Sequence, residues 1–87
     1  MVKQNKIEEL DKKMRKDGWR FLGPILHYKK AWKEQASIYV KNGDYIVAGI
    51  DSTGENELNE PISKIEAEKR LDESLKEIRK YMLGSSD

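Results

Sequence analysis

The sequence predicts one small α+β domain, with an N-terminal helix, an antiparallel meander of three or four strands, and a C-terminal helix packed on the sheet. Apolar residues recur at helical spacing near both ends of the chain, and an Asn-Gly pair separates two β-rich runs in its middle. The length of 87 residues is enough for one domain and not for two. The predicted elements of this single domain, 1–87, are a helix over about 5–17, strands over about 19–28, 36–41 and 44–50, an acidic loop over 51–61, and a helix over about 64–82.

The first helix is predicted from a narrow apolar stripe. Ile7, Leu10 and Met14 are spaced by three and four residues, which places them on one face. Asn5 can cap the start of the helix, and Gly18 is a natural end because it tolerates the left-handed conformation that follows many helices. Such a narrow stripe needs a sheet or another helix to cover it.

The central hairpin is the clearest local signal. Asn42-Gly43 is the pair that a two-residue type I′ turn favours, and this turn places Lys41 opposite Asp44. In that register both faces of the hairpin are apolar, so either both are covered or one is left exposed. If both helices take the same face, we expect the other face, which carries Tyr39, Ile46 and Ile50, to bind a protein partner or a second copy of the chain.

The last helix is predicted from a capping box and a longer stripe. Ser63 and Glu66 have the capping-box spacing, and Gly84 is placed to end the helix. The stripe that we expect to pack on the sheet consists of Ala67, Leu71, Leu75, Ile78 and Met82.

The segment from Trp19 to Gln35 is open to two interpretations. Residues 25–32 fit a strand, and they also fit a short helix that begins at Pro24. We favour the strand, because a lone two-stranded hairpin is only marginally stable in water. The choice decides where Trp32 points.

Catalysis is not expected, because the residue types that start most acid–base and nucleophilic chemistry are scarce. The chain has no cysteine and one histidine, His27, and it contains no glycine-rich phosphate loop. The acidic loop fails the EF-hand pattern, since Gly54 falls at position 4 rather than 6. We therefore expect no enzyme activity, no cofactor and no metal. The sequence contains no apolar run of membrane-spanning length, and we expect a soluble, cytoplasmic protein.

Charge is sorted along the chain, although the net charge is only +1. Residues 12–41 hold nine basic and two acidic residues, whereas residues 42–60 hold five acidic residues and no basic one. The basic stretch is interleaved with aromatic residues, a pattern that can bind single-stranded nucleic acid. The competing interpretation places the aromatic residues in the core and the lysines at its solvated edge. The candidate binding residues are Arg20, Lys29, Lys30, Trp32 and Lys33 in the basic stretch, Tyr39 and Ile46 on the hairpin, and Glu55 and Glu57 in the acidic loop.

Two resemblances in element order bear on function. A strand meander followed by a helix, over Trp19 to Met82, resembles the small arm-type DNA-binding domains of tyrosine recombinases. The order of helix, Asp17-Gly18-Trp19, strand, hairpin and helix is similar to that of some small phage-encoded inhibitors, including certain anti-CRISPR proteins. Both rest on order and composition, and neither transfers a role to any residue. We expect a non-catalytic module that acts by protein–protein contact, in its narrowest form a phage or mobile-element inhibitor of a host nucleic-acid-processing complex. The alternative is a nucleic-acid-binding domain that uses residues 20–33.

Overall fold

The computed structural model describes residues 2–84, and the side chains of residues 6–33 and 35–82. It confirms the predicted α+β fold, with a helix, an antiparallel sheet and a second helix packed on the sheet. Four strands pair in the order of the chain, β1-β2-β3-β4, so that β1 and β4 are the edge strands. The elements are α1 (Val2–Lys16), β1 (Arg20–Ile25), β2 (Ala31–Lys41), β3 (Asp44–Asp51), β4 (Glu57–Ile62) and α2 (Lys64–Gly84).

Helix α1 ends as the sequence predicts, but it begins at Val2, so Asn5 lies within the helix and not at its N-cap. Gly18 has a φ of 97°, and its amide donates to the Arg15 carbonyl at 3.1 Å. The Trp19 amide donates to the Met14 carbonyl at 2.9 Å, which completes a Schellman motif. The motif turns the chain sharply into β1.

The central hairpin has the predicted turn and register. Asn42 and Gly43 both have positive φ, 52° and 83°, as a type I′ turn requires. Lys41 pairs with Asp44, and the pairing continues without interruption as far as Ala36 opposite Gly49.

On the N-terminal side of Ala36, β2 contains a long bulge. Ala31 pairs with Asp51 and Ala36 with Gly49, so several residues of β2 lie opposite a single residue of β3. Lys33 within the bulge has a φ of 46°, in the left-handed region. Residues 25–35 are therefore neither one continuous strand nor a helix. The strand expected over 19–28 ends at Ile25, and a loop over 26–30 leads into β2.

The acidic loop expected over 51–61 is shorter than predicted, because β4 begins at Glu57. The sequence analysis missed β4 because most of its residues are polar. Only one face of this edge strand is half-buried, and Leu58 and Ile62 on that face pack against the core. Each edge strand carries one proline, Pro24 in β1 and Pro61 in β4, where the missing amide hydrogen costs no interior ladder bond.

The two helices cover opposite faces of the sheet. Leu10 and Met14 of α1 pack with Tyr39 and Ala48, while Ala67 of α2 belongs to the second core cluster. The arrangement with both helices on one face is therefore wrong. The hairpin face that was to remain exposed lies under α1, where Tyr39 is 4% exposed and Ile50 is fully buried. The second core cluster is formed by Ile25, Ala31, Ala36, Ile38, Val47 and Ala67.

Helix α2 is longer than β1, the edge strand that it lies beside. Its 21 residues extend about 32 Å, whereas the six residues of β1 extend about 20 Å. Its contacts with the core are made in its first half, by Ala67 and the partly buried Leu71, and Ser74 is buried beyond them. The expectation that the whole stripe packs on the sheet is wrong for Leu75 and Met82, which are 56% and 74% exposed.

Candidate functional site

The basic residues predicted to act together are divided between the two ends of the sheet. Arg20 pairs with Val40 near the β2–β3 turn. Lys29, Lys30, Trp32 and Lys33 lie at the opposite end, where Ala31 pairs with Asp51. The fold therefore separates Arg20 from the other four candidates, because β1 runs the length of the sheet between them.

Folding brings the basic and acidic stretches of the chain against each other. The Lys30 ammonium lies 2.9 Å from the Glu60 carboxylate, and the Lys13 ammonium lies 3.1 Å from that of Glu57. The Lys6 ammonium donates to the backbone carbonyl of Glu55. Two cations of the basic stretch are therefore paired with carboxylates of the acidic stretch, and Glu57 is engaged within the fold.

Trp32 and Lys33 stand together in the β2 bulge. The Lys33 ammonium lies 4.6 Å from the centroid of the Trp32 ring, a cation–π contact. Trp32 is half-buried, while Lys33 and the neighbouring Lys29 are exposed. A bulge of this kind re-aims side chains out of the regular strand alternation.

Tyr28 holds the β1–β2 loop across the sheet. Its hydroxyl donates to the Glu60 carboxylate, and the Arg70 guanidinium lies 5.4 Å from the ring centroid. Burial and the Glu60 carboxylate raise the pKa of Tyr28 to about 12. The hydrogen bonds from Tyr28 and Lys30 lower the pKa of Glu60. The neutral Tyr28 hydroxyl and the Lys30 ammonium thus both donate to the ionised Glu60 carboxylate, and these bonds tie the loop to β4.

His27 borders a cavity of about 410 Å³ between the β1–β2 loop and α2. The imidazole Nε2 lies 4.0 Å from the Glu77 carboxylate, and the backbone of His27 has a φ of 61°. The Ser74 hydroxyl on the same wall accepts a hydrogen bond from the Leu26 amide at 3.2 Å, so it serves the loop. Within the described part of the chain, no three histidine or carboxylate side chains converge as a metal site would require.

A second, larger groove of about 490 Å³ lies between α1 and the sheet. The Tyr39 hydroxyl donates to the Asp11 carboxylate, and the Arg15 guanidinium lies 2.9 Å from the other Asp11 oxygen. These bonds, chiefly the one from Tyr39, hold the pKa of Asp11 below its usual value, and burial raises the pKa of Tyr39. Tyr39, a candidate binding residue, is thus a buried contact between α1 and the sheet. Ile46 is half-buried against the same cluster.

The largest group of exposed apolar side chains lies in the second half of α2, which continues past the end of β1. We name this part, residues 75–82, the α2 overhang. Leu75 is 56% exposed, Tyr81 76% and Met82 74%. Ile65 is also exposed, but it stands apart at the other end of the helix. Sequence reasoning assigned Leu75 and Met82 to the core and passed over Tyr81. The sequence carries no local signal that marks where the sheet stops covering this stripe.

Comparison with known proteins gives no relative: no protein family, no curated protein and no solved structure matches the chain. None of the helices within residues 2–84 is both long and apolar enough to cross a membrane.

Proposed function

We propose that this protein is a non-catalytic module that binds another protein through the α2 overhang. The observation that carries the proposal is the exposure of Leu75, Tyr81 and Met82 on one short stretch of α2. Large apolar side chains grouped on a surface mark protein contacts more often than singly scattered ones do. Tyrosine and methionine are also enriched in interface cores.

The charged surroundings of the α2 overhang support the same proposal. Lys76, Arg79 and Lys80 are exposed beside the apolar residues, and Glu77 is half-buried. A charged, solvated rim around an apolar centre is the usual anatomy of a protein interface. In its narrower form the proposal is an inhibitor that occupies a site on a host nucleic-acid-processing complex, and only the resemblance in element order supports that form.

Nucleic-acid binding is the less favoured alternative. Lys30 and Lys13 are paired with glutamates, and Arg20 lies at the far end of the sheet from Lys29 and Lys33. Proteins bind a nucleic-acid backbone with several cations along one path. Here the salt bridge of Lys30 and the distant position of Arg20 leave no such path through the candidate residues. The test of the proposal therefore includes nucleic acid as a competing ligand.

The test compares a double variant, Leu75→Glu with Met82→Glu, against Ile65→Glu. All three substitutions replace an exposed apolar residue of α2 by the same charged one, but Ile65 lies off the overhang. The tagged variants are cross-linked in extract of the native host, and the adducts are identified by mass spectrometry. We expect specific adducts with the wild type and Ile65→Glu and their loss in the double variant. Equal adducts from all three proteins would overturn the proposal.

A second arm measures fluorescence anisotropy with labelled single-stranded DNA, duplex DNA and RNA at low and near-physiological salt. We expect no tight binding. Binding that weakens steeply with salt and is lost in Lys29→Glu with Lys33→Glu would replace the proposal by the nucleic-acid alternative.

A further inference from the structure

We propose that the α2 overhang pairs with the α2 overhang of a second copy of this chain, with the two helices antiparallel. The inference rests on the proposed function, because it names the partner of the same surface. Three observations carry it: the spacing of the apolar residues, the charges that border them, and the open side of α2 on which they lie.

The apolar residues have the spacing of a helix–helix seam. Leu71, Leu75, Ile78 and Met82 are separated by four, three and four residues, which is the a/d pattern of a coiled coil. Leu71 and Ile78 are half-buried, whereas Leu75 and Met82 are mostly exposed. When the helix is laid antiparallel on its own copy, Leu75 lies opposite Ile78 and Leu71 opposite Met82. Every apolar residue of the seam then meets an apolar residue.

The same register also pairs opposite charges. Asp72 and Arg79 occupy equivalent positions beside the seam, one heptad apart, and both are exposed. The Asp72 carboxylate also lies 3.2 Å from the Lys76 ammonium of its own helix, in a pair that is exposed to solvent. In the antiparallel pair Asp72 of one copy lies beside Arg79 of the other, and the two-fold symmetry repeats the contact. A parallel pair would place Arg79 beside Ser74 and Asp72 beside Ala67, with no charge pair at either place. Charge complementarity therefore selects the antiparallel orientation.

The exposed members of the seam, Leu75 and Met82, lie where the fold leaves α2 open. Leu71 packs over Gly23 of β1, so closely that a Cβ atom on Gly23 would lie 2.9 Å from Leu71 Cδ2. Because β1 is an edge strand, the sheet has no further strand on that side of the helix. Beyond Ser74, whose hydroxyl binds the Leu26 amide at the end of β1, α2 has passed the strand. A second helix can therefore lie alongside the seam.

The test is sedimentation equilibrium of the purified full chain from about 10 µM to about 1 mM, since a seam of four residues per copy makes a small and weak interface. We expect a monomer–dimer equilibrium in the wild type and in Ile65→Glu. We expect Leu75→Glu to weaken dimerisation at least tenfold. Circular dichroism of each variant checks that it is folded.

Charge reversal tests the orientation. Asp72→Arg alone and Arg79→Asp alone each place like charges together twice, so we expect both to weaken the dimer. An equimolar mixture of these two variants restores opposite charges at both contacts, and we expect it to form a heterodimer. The variant that carries both substitutions regains homodimerisation.

The outcomes separate this inference from the proposed function. A wild-type chain that stays monomeric to about 1 mM, well above the concentration of a weak specific complex, overturns the inference. If Leu75- and Met82-dependent adducts with a host protein still form in that case, the proposed function stands without it. A dimer that Leu75→Glu leaves intact also overturns the inference. A dimer in which charge reversal has no effect overturns the antiparallel register.

Discussion

Gly49 of β3 lies directly against Gln35 of β2. A Cβ atom on Gly49 would lie 2.1 Å from the Gln35 carbonyl oxygen and 2.8 Å from the Ala36 Cα atom. Both atoms are backbone, so no side-chain rotation can relieve the contact. The β2 bulge therefore depends on the absence of a side chain at position 49.

We accordingly expect Gly49→Ala to destabilise the fold by at least about 2 kcal/mol, as overpacking of a rigid core does. Gly43→Ala is the comparison. Gly43 has open space around its Cβ position and a φ of 83°, so that variant has only the left-handed conformation to tolerate, which costs about 1–2 kcal/mol. Urea denaturation measures both. A smaller loss of unfolding free energy for Gly49→Ala than for Gly43→Ala would mean that the bulge rearranges freely.

The contact between Tyr39 and Asp11 is expected to fasten α1 to the sheet. Tyr39→Phe removes the hydroxyl that donates to the Asp11 carboxylate, and a lost bond to a charged group costs about 1.5–3 kcal/mol. Thermal unfolding of Tyr39→Phe, Asp11→Asn and the double variant forms a double-mutant cycle. We expect the stability losses of the two single variants to add up to more than the loss in the double variant. Strict additivity would show that the two groups do not interact in solution.

Tyr28 is expected to make the fold sensitive to alkali. Its pKa in the folded chain is about 12, against 10.0 for the free group, so folding favours the protonated hydroxyl. The stabilisation is present in full below pH 10 and is lost as pH rises from about 10 to about 12.

The measurement is the free energy of unfolding in urea between pH 8 and pH 11.5, for the wild type and Tyr28→Phe. Other ionisable groups are common to both proteins, so the informative quantity is the difference between the two. We expect that difference to shrink as pH rises above 10. A constant difference would contradict the contact between Tyr28 and Glu60.

Asp51 is expected to give the opposite dependence at low pH. Its carboxylate accepts hydrogen bonds from the Thr53 hydroxyl, the Glu55 and Asn56 amides and the Asn56 side chain. These bonds lower its pKa from 3.8 to about 2. The stabilisation is present above pH 3.8 and is lost as pH falls towards 2. We expect Asp51→Ala to lower the melting temperature at pH 7 and to differ little from the wild type at pH 2. Carboxyl chemical shifts from NMR give the pKa directly.

Local signals account for the parts of the fold that the sequence predicts well. The Asn42-Gly43 turn, the Gly18 helix end and the Ser63 cap each depend on a few neighbouring residues, and the Ser63 hydroxyl does accept the Glu66 amide at 3.0 Å. A short-range geometric requirement of this kind restricts the residue type strongly. Such positions can therefore be read from the chain itself.

The rest of the fold depends on contacts between distant residues. The residues near Leu75 in the sequence do not indicate where the sheet ends beneath α2. The apolar stripe of α2 can therefore be predicted, but the part of it that packs on the sheet cannot. Ser74 is buried, although its type predicts an exposed position, because the Leu26 amide needs an acceptor there. The pair between Lys30 and Glu60 joins residues 30 positions apart, and only the order of the strands brings them together. The α2 overhang therefore lies outside all of the candidate binding residues that the sequence suggested.

The two edge prolines have a consequence for how this protein can meet other molecules. Growth of a sheet by recruitment of a foreign strand, the step that begins fibril formation, needs a continuous row of amide hydrogens along an outer strand. Pro24 interrupts that row on one side and Pro61 on the other. The edges of this sheet are therefore poor templates for pairing with another strand. Contacts with other molecules are then made by side chains, which distinguish one partner surface from another better than backbone hydrogen bonds do.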